Sequence, residues 1–98
     1  MKKTLTGVVS TSGGAIYVTP IDKNAEIEYL LFNSPVSYEI KIYKQLKSNN
    51  QRSLIYKLEL DAGDIVTDTS KYVLNPGDSL YAISDSSQTN YTITINEE

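Results

Sequence analysis

The stretch Leu60-Asp61-Ala62-Gly63-Asp64-Ile65-Val66-Thr67-Asp68-Thr69-Ser70-Lys71-Tyr72-Val73-Leu74-Asn75-Pro76-Gly77-Asp78-Ser79-Leu80-Tyr81 decides how this chain is read. One phrase occurs in it twice: an apolar run closing on Leu, a turn through Gly-Asp, and a new run. Glycine accepts the positive φ that tight turns need, and Asp bonds its own backbone to hold them. Pro76 adds a φ fixed near about −65° at the first corner of the second turn. Residues 67–74, between the turns, are rich in strand formers and lack a helical apolar period. The stretch therefore reads as strand, turn, strand, turn, strand.

Working outward, the alternation predicts strands near 3–10, 15–19, 25–33, 38–47, 53–60, 65–69, 72–74, 79–84 and 90–96. Ser12-Gly13-Gly14 carries a hairpin signal, and Pro20 ends the second strand because it lacks the N–H a ladder uses. In 25–33, Ile27, Tyr29 and Leu31 share one side. Glu26 and Glu28 share the other with Leu30 and Phe32, so the strand is expected to start half-solvated and end buried on both faces. In 38–47, Tyr38, Ile40, Ile42 and Leu46 alternate with Glu39, Lys41, Tyr43, Gln45 and Lys47. Residues 48–52 are expected to form a polar, mobile hairpin loop, followed by Leu54, Tyr56, Leu58 and Leu60 facing inward. Seven to nine short strands at this spacing predict one all-β domain over residues 1–98. It is a single antiparallel β-sandwich, of jelly-roll or Ig-like Greek-key type.

The same 60–82 segment, LDAGDIVTDTSKYVLNPGDSLYA, resembles one that recurs in small all-β structural proteins of tailed-bacteriophage virions. Ser12-Gly13-Gly14-Ala15-Ile16-Tyr17 and Ala25-Glu26-Ile27-Glu28-Tyr29-Leu30-Leu31-Phe32-Asn33 fit that picture. The resemblance implies a capsid decoration (cement) protein or, alternatively, a collar, tail or fibre-attachment component. It implies other virion proteins as partners, such as the major capsid protein or neck and tail proteins. It also implies many copies or homo-oligomers, and location in the virion after assembly in the host cytoplasm.

Composition narrows the chemistry. The 98 residues include no Cys and no His, which removes disulfides, thiolate nucleophiles, Cys-ligated zinc and the usual acid–base side chain. The net charge of −3 argues against direct nucleic-acid binding, since Lys41, Lys44 and Lys47 are diluted by Glu39 and Glu59. After Lys2 and Lys3, residues 4–10 are too short and polar for a signal-peptide core, and no run reaches the ~20 residues of a membrane span. A soluble chain without membrane contact is expected.

Candidate functional residues are few. Asp61, Asp64 and Asp68 lack the spacing of a calcium loop and read as turn formers, so no metal and no cofactor is expected. Glu26, Glu28, Glu39 and Glu59 alternate with Lys or apolar residues, as solvated strand faces do, which gives no catalytic pair. Eight Tyr, one Phe and no Trp place rings at the boundary of a thin core. Tyr43, with Lys41 and Gln45 on its face, is the candidate interface anchor. Thr92 and Thr94 are expected on a sheet edge, either blunted by the terminal charges Lys2, Lys3, Glu97 and Glu98 or paired with another subunit. A carbohydrate-binding module is the rival of a different class, and catalysis is not expected.

Overall fold

Nine strands form, and pairing between them, rather than their order, defines the architecture. The computed structural model describes residues Met1–Glu98. The strands are β1 (Lys2–Val8), β2 (Gly14–Val18), β3 (Ala25–Asn33), β4 (Tyr38–Gln45), β5 (Arg52–Leu60), β6 (Ile65–Asp68), β7 (Tyr72–Leu74), β8 (Ser79–Ser84) and β9 (Asn90–Glu97). Sheet A runs β1-β9-β3-β6, with β7 also on β3; sheet B runs β2-β8-β4-β5. All pairs are antiparallel. β6 lies along Leu30–Asn33 and β7 along Ala25–Ile27, so the two share one strand position beside β3. The first strand thus pairs with the last, the second with the next to last, and so inward to the β4–β5 hairpin. That nesting is the jelly roll, and it decides against the Ig-like alternative.

Only 46–51 is a hairpin loop; the turn at Ser12-Gly13-Gly14 is not. β1 pairs with β9 and β2 with β8, so the chain switches sheets there. Both Gly-Asp turns also carry the chain between sheets. Gly63 and Gly77 take φ of 82° and 84°, and Asp64 and Asp78 donate their N–H groups to Asp61 and Asn75 carbonyls at 3.1 and 3.0 Å. A positive φ at the third turn position is the type II signature, open to Gly at little cost. Each turn is stitched to a neighbouring crossing: Gly63 N–H to the Ser34 carbonyl at 2.9 Å, Gly77 N–H to that of Thr19 at 3.0 Å. They act as corner joints, fixing how the sheets stack.

One buried cluster fills the space between the sheets, with Ile27, Leu30, Phe32, Ile93 and Ile95 from sheet A against Ile40, Ile42, Leu80 and Ala82 from sheet B. The phase change within β3 has a cause the alternation did not reveal. Register against β9 shifts between Ile27 and Tyr29, so a β-bulge inserts one residue and moves Leu30 and Phe32 onto the core face with Ile27. Tyr29 and Leu31 lie on the outer face and are half-buried there, so the strand's end is not buried on both faces. β5 shows the same device. Ile42 opposes Tyr56 and Tyr43 opposes Leu54, which leaves Ile55 as the extra residue. Ile55 packs against the core beside Tyr56, Leu58 and Leu60, while Leu54, expected inside, is 55% exposed.

The terminal strand also departs from expectation. β9 is central in sheet A, between β1 and β3, so Thr92 and Thr94 sit in the middle of an outer face and not on an edge. Glu97 does not guard an edge either. It is buried, accepts the Tyr17 hydroxyl at 2.5 Å and pairs with Lys3 Nζ at 2.8 Å, tying β9 to both β2 and β1. The Lys3 and Tyr17 hydrogen bonds outweigh desolvation and hold the Glu97 carboxyl below its ordinary 4.5. A depressed carboxylate adds stability above the unfolded value and loses it as pH falls through the folded one. Chemical denaturation from pH 7 down through that range should therefore show a loss that Glu97→Gln flattens, because the amide still accepts the Tyr17 proton but does not titrate. An equally steep acid arm in the variant would remove Glu97 as the cause.

Candidate functional site

Side chains on β4, β8 and the start of β5 meet on the outer face of sheet B. Regular pairing of β4 with β8, and of β4 with β5 on either side of the bulge, lays them out in rows. One row is Ser79–Gln45–Arg52, the next Tyr81–Tyr43–Leu54, the next Ile83–Lys41–Lys57. Opposed residues in a ladder have Cβ atoms about 4.5–5.5 Å apart and diagonal neighbours remain within reach of long side chains. Tyr43 and Tyr81 meet edge to face, with ring centroids 6.0 Å apart and planes at 69°. The Arg52 guanidinium lies over Tyr81 at 3.8 Å from its centroid, and Arg52 Nε donates to Gln45 Oε1 at 2.7 Å. A planar cation on an aromatic face, with a further hydrogen bond, is more restrained than a free arm, although Arg52 itself stays exposed. Exposed Leu54 and Val18, at 55% and 58%, flank it.

Tyr43, Lys41 and Gln45 are thus brought together as their alternation implied. Thr92 and Thr94 are not with them. They lie on the outer face of sheet A, across the sandwich, beside Thr4, Thr6, Tyr29 and Leu31. Other members of the sheet B group escaped the sequence reading. Tyr81 and Ile83 were signalled by alternation in 79–84. Arg52 stood in an expected mobile loop but begins β5, and Leu54 faces outward only because of the bulge at Ile55.

Gly13 adds a constraint from the β1–β2 crossing. Its φ is 89°, and a Cβ there would collide with the Tyr81 hydroxyl oxygen. Gly13→Ala is expected to cost roughly 1–2 kcal/mol, from left-handed strain on a non-glycine residue, and to push Tyr81 off its place. A fall in thermal midpoint together with altered Tyr81 ring resonances would show it. A Gly13→Ala chain with the wild-type midpoint and ring environment would show that the crossing does not position Tyr81.

Apart from the buried Glu97, the acidic residues behave as turn and surface groups. Asp68 accepts the Ser70 amide at 2.8 Å and the Tyr72 hydroxyl at 2.5 Å. Burial pushes Asp68 upward, but those bonds prevail and hold it below the usual carboxylate range, while burial and the Asp68 bond push Tyr72 up to about 12. Asp64 accepts the Asp61 amide at 3.2 Å and Asp78 that of Lys47 at 3.1 Å. An open cleft of about 470 Å³ at one end of the sandwich carries Glu39, Glu59, Asp61, Asp64 and Asp85. Glu39 there pairs with Lys41 at 3.7 Å and Lys57 at 3.6 Å, and Asp85 accepts the Glu39 amide at 2.8 Å. Glu26 and Glu28 sit on sheet A, paired with Lys71 and Lys2.

The fold places the chain among jelly-roll β-sandwiches. No protein-family model matches it, and no curated protein matches it in sequence. Among solved structures, it is similar to a protein of the Bacillus endospore appendages, a family of disulfide-linked pili. The identity is 14% and the TM-score 0.53, over 97% of this chain and 82% of that one. It also aligns with part of Clostridium thermocellum xylanase 10B, a CBM22-1–GH10 structure with bound xylohexaose. There the identity is 12% and the TM-score 0.46, over 97% and 21% of the two chains. A third similarity, to infectious bursal disease virus strain Gx, has 10% identity and TM-score 0.46, over 97% and 30%. At 14% identity the likeness to the appendage protein concerns the fold alone. The disulfide linkage of the pili has no counterpart among these residues, which include no Cys. No helix is long and apolar enough to cross a membrane.

Proposed function

We propose that this chain is a non-catalytic attachment subunit of a multi-copy assembly, and in particular a decoration protein that docks on the capsid lattice of a tailed-phage virion. One observation carries the attachment role: the preassembled Tyr43–Tyr81–Arg52 group on the outer face of sheet B. Tyr and Arg are the side chains that most often anchor protein interfaces. Here stacking and the Gln45 bond already hold them, so docking immobilises little that is free beforehand. The phage setting is supported by the resemblance of residues 60–82. A chain without His or Cys also lacks the commonest catalytic side chains. The carbohydrate-binding alternative calls for an open aromatic face, and the Arg52 guanidinium covers one face of Tyr81.

Quantitative mass spectrometry of purified particles tests the proposal. Copy number set by the shell lattice supports decoration. A handful to dozens of copies would instead indicate a collar, tail or fibre-attachment component, and absence of the chain from particles would overturn the virion role.

A further inference from the structure

Four strand edges are left unpaired within the chain: β1 and the β6/β7 position in sheet A, β2 and β5 in sheet B. Three of them are interrupted. β2 is five residues long, with a register shift that leaves Ile16 as an extra residue. β5 bulges at Ile55 and presents Lys57 and Glu59. β6 and β7 are short pieces separated by Thr69-Ser70-Lys71. Bulges, short strands and breaks are how sheets keep other strands off their edges. β1 has none of these, and its seven residues pair with β9 in unbroken register.

The hydrogen bonds fix which backbone groups β1 presents outward. The Met1 ammonium and carbonyl both bond Glu97, at 2.7 and 2.9 Å, and Val9 N–H donates to the Thr89 carbonyl at 2.8 Å. In an antiparallel ladder, bonded and non-bonded pairs alternate. Odd-numbered residues of β1 therefore turn their N–H and C=O toward β9, and Lys2, Thr4, Thr6 and Val8 turn theirs to the free edge. The lysines do not guard that edge. Lys2 is paired with Glu28 at 3.2 Å and Lys3 with Glu97 at 2.8 Å, both across their own sheet.

We infer that this edge takes β1 of a second copy of the chain, antiparallel, across a two-fold axis at Leu5. One register uses every outward group: Lys2 opposite the partner's Val8 and Thr4 opposite the partner's Thr6, with the reciprocal pairs across the axis. Leu5 then faces the partner's Leu5 as a non-bonded pair. No like charges oppose one another. Val8, 59% exposed in one copy, gains a cross-strand neighbour at the partner's Lys2 position, and Thr–Thr pairs are favourable cross-strand neighbours. Self-complementarity of this kind is what a two-fold interface requires. Joining the two A sheets makes one continuous sheet with a threonine-rich outer face, and the Tyr43–Tyr81–Arg52 face of sheet B stays free. Pairing along one edge buries less than the ~1,200 Å² of a standard interface, so a weak dimer, filled at high protein concentration, is expected.

Sedimentation equilibrium of the purified full chain over a concentration series tests this apart from any virion role. The expected result is a monomer–dimer equilibrium. Thr6→Pro removes an outward N–H and the Thr6 hydroxyl but no backbone bond to β9, so it should raise the dimer dissociation constant by about tenfold or more while leaving the chain folded. Leu5→Cys should give a disulfide-linked dimer on mild oxidation, because a non-bonded antiparallel pair sets Cα atoms about 4.5 Å apart, within disulfide range. Val18→Cys, on β2, should not. Should Thr6→Pro fail to fold, Leu5→Cys decides alone. A chain that stays monomeric throughout and yields no Leu5→Cys dimer overturns the inference, as does a dimer that survives Thr6→Pro without that cross-link.

Discussion

Tyr81→Ala is expected to weaken attachment to the assembly about 30-fold or more, without unfolding the chain. Truncating a central aromatic anchor typically costs about 2 kcal/mol or more of binding, which is a factor of roughly 30. Tyr81 holds that position because β8 pairs directly with β4, setting its ring beside Tyr43 and beneath Arg52. Losing the ring removes the contact, takes away the edge-to-face partner of Tyr43 and leaves Arg52 held by Gln45 alone, so the surface loses preorganisation as well. Tyr81→Phe keeps the stack and should retain most of the affinity. Arg52→Lys keeps the charge but not the plane, and should fall between. Binding of the purified variants to particles stripped of the protein measures all three. Wild-type binding by Tyr81→Ala, together with loss in Thr92→Ala or Thr94→Ala, would move docking to sheet A.

Phe32→Ala is expected to be the most damaging single truncation, and Leu31→Ala next to it to be mild. Phe32 is fully buried in the core, whereas Leu31 lies outside among Thr92 and Thr67. Replacing a buried Phe by Ala typically costs about 3–5 kcal/mol, from lost transfer energy and the cavity left behind. That is a large share of the ~5–15 kcal/mol that holds a domain folded. Each kcal/mol moves the midpoint of a chain this size by about 4–8 °C, so the Phe32 variant should melt at least ~12 °C lower. Leu31→Ala should cost under about 1.5 kcal/mol, as a half-buried side chain on an outer face loses less contact and leaves no cavity. Urea unfolding of the two variants gives the comparison, and equal costs would mean that this end of β3 is buried on both faces after all.

That contrast shows where the sequence was legible. Strand positions follow from local patterning and turn chemistry, and β7 and β8 fall on 72–74 and 79–84 as the alternation has them. Lys41, Tyr43 and Gln45 share a face because they lie on a regular stretch of one strand. The reversals of facing fall at bulges. An alternation rule assumes one residue per half-repeat, and the extra residues near Glu28 and at Ile55 reverse the faces beyond them. The Ser12-Gly13-Gly14 turn departs from the hairpin expectation for a related reason. A turn reverses chain direction whether the next strand joins the same sheet or the facing one.

The residues alone determined that the chain is all strand, where it turns, and that His- and Cys-based chemistry is closed to it. Those properties reside in single side chains and their near neighbours. Tertiary structure alone decided the nesting of β1 with β9, the central place of Thr92 and Thr94, and the stacking of Arg52 on Tyr81. Each depends on which distant strand lies alongside. That choice is made by burying both apolar faces at once around a single core, and no local pattern encodes it.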